Sequence, residues 1–405
     1  MPTISFERLA TRAGTLWPLA LFVATYPLVA LVRLLRRPVR RQPRFLVIQV
    51  AKIGDVVCTS GLFREVKRAF PGAFLTVEVL PWIRPLLATN PHIDRLEALV
   101  PREATNPIRR VARWVRIAAQ DHDYLLLPTP NAGHVLDGWF GLVRRIVSVV
   151  ETEGRCTTQT RSFEFLRRIL FHETPYEEGT LTRAAYARML EAAGVRGADP
   201  RPEHHPPAGA RERAASWLRS RGAGPGRELL VGISPGAGNR LKEWEPARFA
   251  EVARRLAAEK AARVVAVGSR EDRPACEEIS RAAGERGIDA CGAFDLAGLA
   301  GLLSLFDLLV SVDTGPLYLA SALGVPVVDI SGPIDVREQP PLEAACEAVY
   351  VELDCRPCSH VLATARTCRT GHHRCVLDTT PEMVLAACGR LLAPAARRRP
   401  AREAL

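Results

Sequence analysis

Aromatic side chains are scarce in this 405-residue chain, where Phe, Trp and Tyr together make up 6%, and they are not interleaved with its basic clusters. That argues against the stacking platform on which single-stranded nucleic acid is held. Acidic residues are outnumbered, 44 against 55 Lys and Arg, for a formal charge of +11. Such an excess points to an anionic partner, and without a stacking surface the better candidates are a membrane surface or a phosphorylated ligand. No internal repeat and no P-loop spacing are visible. What is present is globular: apolar residues are 47% of the chain and charged ones 24%, so disorder is expected only at the ends. The length exceeds one ordinary core and suits two domains.

Leu16 to Val32, "LWPLALFVATYPLVALV", contains no charge and falls slightly short of the roughly 20 residues a perpendicular membrane span needs. Pro18 and Pro27 are expected to kink it. Six arginines follow between Arg33 and Arg44. A signal peptide carries its positive charge ahead of the apolar run, whereas here most lies behind it. A membrane anchor, spanning or lying in the interface, is therefore favoured over a signal peptide or a helix packed on the soluble body. The positive-inside rule keeps the rest of the chain in the cytoplasm, which argues against oxidising-compartment disulfides.

Beyond the anchor, strand and helix patterns alternate. "FLVIQV", "FLTVEVL", "DYLLLP", "ELLVGIS", "ARVVAVGS", "LLVSVD" and "PVVDIS" read as buried strands. Helical patterns such as "EPARFAEVARRLAAE" separate them. This predicts two α/β units with parallel sheets covered on both faces and a ligand cleft at the strand carboxyl ends. The organisation is read as a hydrophobic and basic segment at 1–44, a first domain at 45–205, a Pro/Gly-rich linker at 206–227, a second domain at 228–390 and a basic tail at 391–405.

Several strand-to-helix junctions carry chemistry. "ISPGAGNRLKEW" offers Ser234, Gly236 and Gly238 for close backbone approach to an anion, and Lys242 as a full charge for a diphosphate. In "SVDTGPLYLASALG", Asp313 is a natural helix N-cap, while Thr314 and Gly315 face the same crevice. "GSRED" places Glu271 where an acidic residue binds a ribose hydroxyl. In the first half, "VAKIGDVVCTSG" sets Asp55 at a strand end, where it either caps a helix or does chemistry.

These segments, with "ATNPHIDRL" between them, occur in an order and at separations that resemble the bacterial lipopolysaccharide heptosyltransferases, glycosyltransferase family 9, over roughly residues 45 to 385. The resemblance implies the GT-B architecture: two Rossmann-like, doubly wound domains facing a central cleft. It implies an inverting transfer of heptose from an ADP-sugar to an anionic lipopolysaccharide-core glycolipid at the cytoplasmic face of the inner membrane, without a catalytic metal. Asp55 then becomes the general base, ionised at neutral pH beside a helix N-terminus. Lys242 and the N–H groups near Gly236, Thr314 and Gly315 stabilise the departing diphosphate. Tyr318 stands where the family usually has histidine. Asn131 and His134, in "LLLPTPNAGH", replace the usual residues on the acceptor side. Arg109 and Arg113 are candidates for an acidic acceptor, with a solvated helix face as the alternative. A nucleotide-sugar epimerase of the same fold and a non-catalytic binding protein are the competing functions.

Cys355, Cys358, Cys368 and Cys375 form C-x2-C-x9-C-x6-C, with His372 and His373 beside them. The spacing suits a structural zinc, or buried thiols closing a loop; a similar segment recurs in the family. The remaining cysteines, Cys58 among them, read as small core residues.

Overall fold

In the computed structural model, which describes residues 3–100 and 106–393 with side chains from Leu16 onward, the chain divides into two compact units. One runs to Lys52 and then from Thr59 to Arg201; the other holds Ile53–Cys58 and the chain from Pro202 onward. Each is built on one six-stranded sheet. The first contains β1 (Arg44–Gln49), β2 (Phe74–Val79), β3 (Arg95–Ala98), β4 (Tyr124–Leu127), β5 (Arg145–Glu151) and β6 (His172–Tyr176). The second contains β7 (Leu230–Ser234), β8 (Arg263–Ala266), β9 (Gly287–Asp289), β10 (Leu308–Val312), β11 (Val327–Ile330) and β12 (Cys346–Val349).

Every strand pairing is parallel. The orders are β3-β2-β1-β4-β5-β6 and β12-β11-β10-β7-β8-β9. Counted from its own first strand, the second sheet repeats the order of the first, a duplication that no sequence repeat announced. In such doubly wound sheets the direction of strand addition reverses once, here between β1 and β4 and between β7 and β10, and the connections part there at the strand carboxyl ends.

The strands the apolar runs predicted all form. Five strands were missed in the sequence: β5, a seven-residue buried strand within the poorly patterned stretch after Asn131, and β3, β6, β9 and β12, which are three to five residues long and form the sheet edges. Short, half-exposed strands lack the continuous apolar signature of buried ones. The short helix expected at "ARERAASWLRSRG", within the stretch read as a linker, forms at Ala210–Arg219. A Cβ on Gly301 would lie 2.4 Å from the Ala210 carbonyl oxygen, so that helix packs tightly onto Leu296–Leu303 inside the second unit. The basic tail lies outside the described residues from 394 on.

The N-terminal segment forms one helix, Thr3–Leu34, that runs through both Pro18 and Pro27. By length and composition Leu16–Leu34 suffices to cross a membrane. One face nevertheless joins the first unit's core: Phe22 is buried among Leu136, Trp139 and Phe163, with Leu19 and Val29 against them. Tyr26 stacks on Trp139 at 5.3 Å, and Trp17 meets Trp114 at the same centroid separation. The arginines that follow are partly consumed internally. Arg36, Arg37, Arg40 and Arg144 all pair with Asp121, and Arg33 reaches the Arg144 carbonyl oxygen at 3.1 Å. Burial opposes ionisation of Asp121, but the arginines around it hold the carboxyl below its ordinary range.

Candidate active site

The second sheet's reversal point collects most of the junction residues named above. After β7 the chain passes Ser234, Gly236 and Gly238 to Asn239, whose side chain accepts from the Leu241 N–H at 3.2 Å and caps the single turn Arg240–Lys242. The helix expected at "EPARFAEVARRLAAE" forms, but beyond this turn. The helix begins only at Pro246, so the loop has one short turn and no helix macrodipole directly behind it.

The turn delivers Lys242 to the end of β10, where its ammonium forms an ion pair with Asp313. Burial pulls the Lys242 pKa down, but Asp313 outweighs it with further help from Asp55 and Asp329, and the net shift is upward. Asp313 does not cap the next helix. Thr314 occupies the N-cap of Gly315–Ala322, without a side-chain cap bond. Asp313 instead takes the Tyr318 hydroxyl on its other oxygen at 2.5 Å. Burial first, then the charge of Asp313, pushes the Tyr318 phenol well above its usual value. Tyr318 is therefore a hydrogen-bond donor at neutral pH, whereas a histidine here would titrate.

Two glycines bring Asp55 to this group. A Cβ on Gly54 would meet the Tyr318 ring at 2.9 Å, and one on Gly315 would meet the Ile53 Cβ at 2.6 Å. The short helix Ile53–Thr59 can pack this closely only because both positions lack a side chain. Asp55 stands in its first turn, half-buried. One turn on, the Cys58 thiol accepts from Gln339 Nε2 at 2.8 Å, which ties this helix to the loop after β11.

At the third junction the acid that faces the glycine loop is Asp272, not Glu271, which is exposed. Asp272 accepts from the Ser269 N–H and hydroxyl, both at 2.8 Å. A Cβ on Gly236 would fall 2.2 Å from its carboxylate. The Ser-x-x-Asp spacing of a capping box was the signal available in the sequence.

The first unit holds the acceptor-side candidates. Asn131 follows β4 at that sheet's reversal point and caps Ala132–Phe140, accepting from the His134 N–H at 3.2 Å. His134 Nδ1 lies 3.4 Å from Asp137. Arg109 is exposed. Arg113 is not on a solvated face: Nη1 donates to Glu78 at 2.7 Å, Nη2 to the other Glu78 oxygen, and Nε to Asp137 at 3.3 Å. With all three nitrogens engaged in the core, Arg113 is a structural ion pair. Burial pushes the Asp137 carboxyl up, but Arg110 and Arg113 hold it well below the usual range. Its contribution is therefore present above the ordinary carboxylate range and is lost as pH falls. Arg113→Ala is expected to cost about 3–5 kcal/mol by taking the two-pronged partner from the buried Glu78 carboxylate, while Asp137 keeps Arg110. Arg109→Ala is expected to stay within about 0.5 kcal/mol. Urea unfolding of both variants checks the difference.

Cys355, Cys358, Cys368 and Cys375, with His372 and His373, line one cavity of about 10 Å³, room for an ion rather than an organic ligand. Cys355 Sγ lies 3.9 Å from His372 Nε2, and His373 Nε2 donates to the Leu241 carbonyl at 2.8 Å. The donors suit a thiophilic metal in kind. They do not close on a common point, since no three of them lie within 4.8 Å of one another among the described residues.

Comparison with known proteins follows the same outline. Residues 187–368 match the model of glycosyltransferase family 9 (heptosyltransferase). Lipooligosaccharide heptosyltransferase 2 of Campylobacter jejuni is 28% identical over 168 residues, covering 40% of this chain and 51% of that protein. The chain thus spans about half the length of the first curated relatives it matches. Among solved structures, a glycosyltransferase family 9 protein of Veillonella parvula superposes with a TM-score of 0.72 at 19% identity, covering 86% of this chain and 97% of that one. E. coli ADP-heptose lps heptosyltransferase II superposes with a TM-score of 0.65 at 20% identity, covering 86% and 98%. The likeness extends over both sheets, as the GT-B fold expected from the sequence requires.

Proposed function

We propose that the chain, whose residues 187–368 match the model of glycosyltransferase family 9, transfers a heptose-type sugar, with inversion, from an ADP-sugar to a lipopolysaccharide-core-like glycolipid. One observation carries the reading. The Gly54–Tyr318 and Gly315–Ile53 contacts seat Asp55 within one compact unit with the Lys242–Asp313 pair. On this reading a carboxylate for the base and a cation for the diphosphate stand within electrostatic reach of each other.

In the reaction, the Asp55 carboxylate accepts the proton of the acceptor hydroxyl. The hydroxyl oxygen bonds to the anomeric carbon as the bond from that carbon to the diphosphate oxygen breaks, and the electron pair leaves with ADP. A single displacement inverts the anomeric centre. Lys242 and the backbone N–H groups of Gly236 and Gly315 meet the charge that develops on the diphosphate. Asp272 is a better placed ribose ligand than Glu271, because it faces the glycine loop. Since side chains and backbone supply the counter-charge, transfer is expected to continue unchanged in EDTA, and the cysteine cluster takes no step in it. ADP release from ADP-heptose tests the reading: it is expected with a core glycolipid present and not without it. Acceptor-independent interconversion of the sugar would instead make the protein an epimerase, and neither reaction a binding protein.

For the membrane we propose that the N-terminal helix lies in the bilayer interface and does not span it. Phe22 and Tyr26 commit its inner face to Trp139 of the helix Ala132–Phe140. Its outer face exposes Leu16, Val23, Leu28 and Leu31. Two neighbouring helices continue that apolar surface, Pro107–Gln120 with Ile108 and Val115 and Arg161–Leu170 with Phe165 and Ile169. Arg41 is exposed beside it, a combination suited to anionic headgroups. The protein is expected to sediment with vesicles containing anionic lipid. Leu28→Glu with Leu31→Glu should abolish this at unchanged melting temperature; retained sedimentation would remove the helix face from the interface.

A further inference from the structure

The transfer reaction makes no use of a buried carboxyl group at the reversal point of the second sheet. Asp329 stands on β11, 3% exposed, in register with Ser311 of β10, which is in register with Ser234 of β7. The three make a buried polar row across the reversal point of the second sheet. The flanking positions Ile233, Val310, Val312, Val328 and Ile330 belong to the apolar core on the opposite face. Ser311 turns its hydroxyl to the Val312 carbonyl at 2.9 Å. Asp329 has Oδ2 held by the Ser331 hydroxyl at 2.6 Å, while Oδ1 is buried with no hydrogen-bond partner among the described residues. A carboxylate oxygen in that position is costly; a protonated carboxyl is far less so.

The charged and titratable groups that face Asp329 come from every element around it. Asp313 follows β10, Lys242 closes the short turn after β7, and Arg356 lies beyond β12. Tyr318 projects from the helix Gly315–Ala322, and Cys346 stands on β12. Burial first and then Asp313 raise the Asp329 carboxyl to about 7, against the Ser331 hydrogen bond and the two cations. Burial keeps the Cys346 thiol protonated to about 12 and the Tyr318 phenol beyond its usual value. Lys242 keeps its charge.

We propose that Asp329 is a positioning residue for the donor diphosphate that acts through Lys242. As a neutral acid it leaves the Lys242 ammonium to Asp313 and the incoming phosphates. As a carboxylate it draws on the same ammonium and repels the phosphate charge. The inference rests on the ADP-sugar reading above and adds a proton to it. Diphosphate binding raises the Asp329 pKa further, so binding takes up a proton when the free protein has lost it. Affinity is then highest below the point where Asp329 ionises. Above it, affinity falls by at most about tenfold per pH unit.

The test is calorimetric titration of the full chain with ADP from about pH 6 to about pH 8.5, for the native protein, Asp329→Asn and Ser331→Ala. The ionisation of ADP itself is common to all three and cancels in the comparison. The native protein is expected to lose about tenfold more affinity across the range than Asp329→Asn. Ser331→Ala removes the donor that favours the ionised form, so its midpoint is expected to move to higher pH, a shift that a packing defect does not produce. It also decides the matter if Asp329→Asn fails to fold. Tight ADP binding with one pH profile for the native protein and for every variant that folds would overturn the role of Asp329 and leave the glycosyltransferase reading standing. An absence of ADP binding by the native protein at every pH would overturn that reading itself.

Discussion

Asp55→Asn is expected to lower transfer by about 10²–10⁴-fold, the usual contribution of a positioned general base, while ADP affinity stays within about twofold of the native value. Asparagine keeps the shape of the side chain and its ability to serve the first turn of Ile53–Thr59. The loss would therefore isolate proton acceptance from folding. The glycines on either side are the control: Gly54→Ala, whose Cβ would meet the Tyr318 ring at 2.9 Å, should also slow transfer, by displacing the helix with the base still present. Rates are read by ADP release and affinities by calorimetry. Turnover by Asp55→Asn within a few-fold of the native rate would remove Asp55 from the reaction.

Lys242→Ala carries the second large effect, on the donor instead of the rate. Loss of a charged hydrogen-bonding group from a diphosphate site is expected to weaken ADP binding by about 10–100-fold, equivalent to about 1.5–3 kcal/mol. The substitution also leaves Asp313, 8% exposed, with Tyr318 but without its cation. Breaking a buried pair in that way commonly costs several kcal/mol of stability. The double variant Lys242→Ala with Asp313→Asn separates the two consequences: it is expected to recover the melting temperature but not the affinity. If affinity returned with stability, the single variant's defect would be a folding effect and Lys242 no donor ligand.

Much of the site was legible in one dimension because it sits where apolar strands stop. Ser234, Gly236, Lys242, Asp313, Thr314 and Gly315 all lie at the carboxyl ends of β7 and β10 or in the turns that follow, and a buried strand announces its end by a change to small or polar residues. Residues that matter through packing were harder to see. Asp329 lies inside an otherwise apolar strand and looked like part of "PVVDIS"; its register against Ser311 and Ser234 sets it among polar neighbours. Glu271 and Asp272 were equivalent as adjacent acids until the turn Arg270–Asp272 turned one toward Gly236. Arg113 and Arg109 sit on one helical stretch, but four residues of helix put the first against Glu78 and leave the second in water.

The amino-acid order alone therefore determined the α/β class, the positions of most buried strands, β5 excepted, and the kinds of group at their ends, because strand burial and turn formation depend on neighbours a few residues apart. It could not determine partnership. Lys242 and Asp313 are 71 residues apart in the chain, and Asp55 reaches them because two glycines permit a contact that no local pattern encodes. Which carboxylate is paired with a cation, which caps a turn and which is left to hold a proton followed from strand order and burial, since charge in a folded protein is governed by distance in space and by exclusion of water.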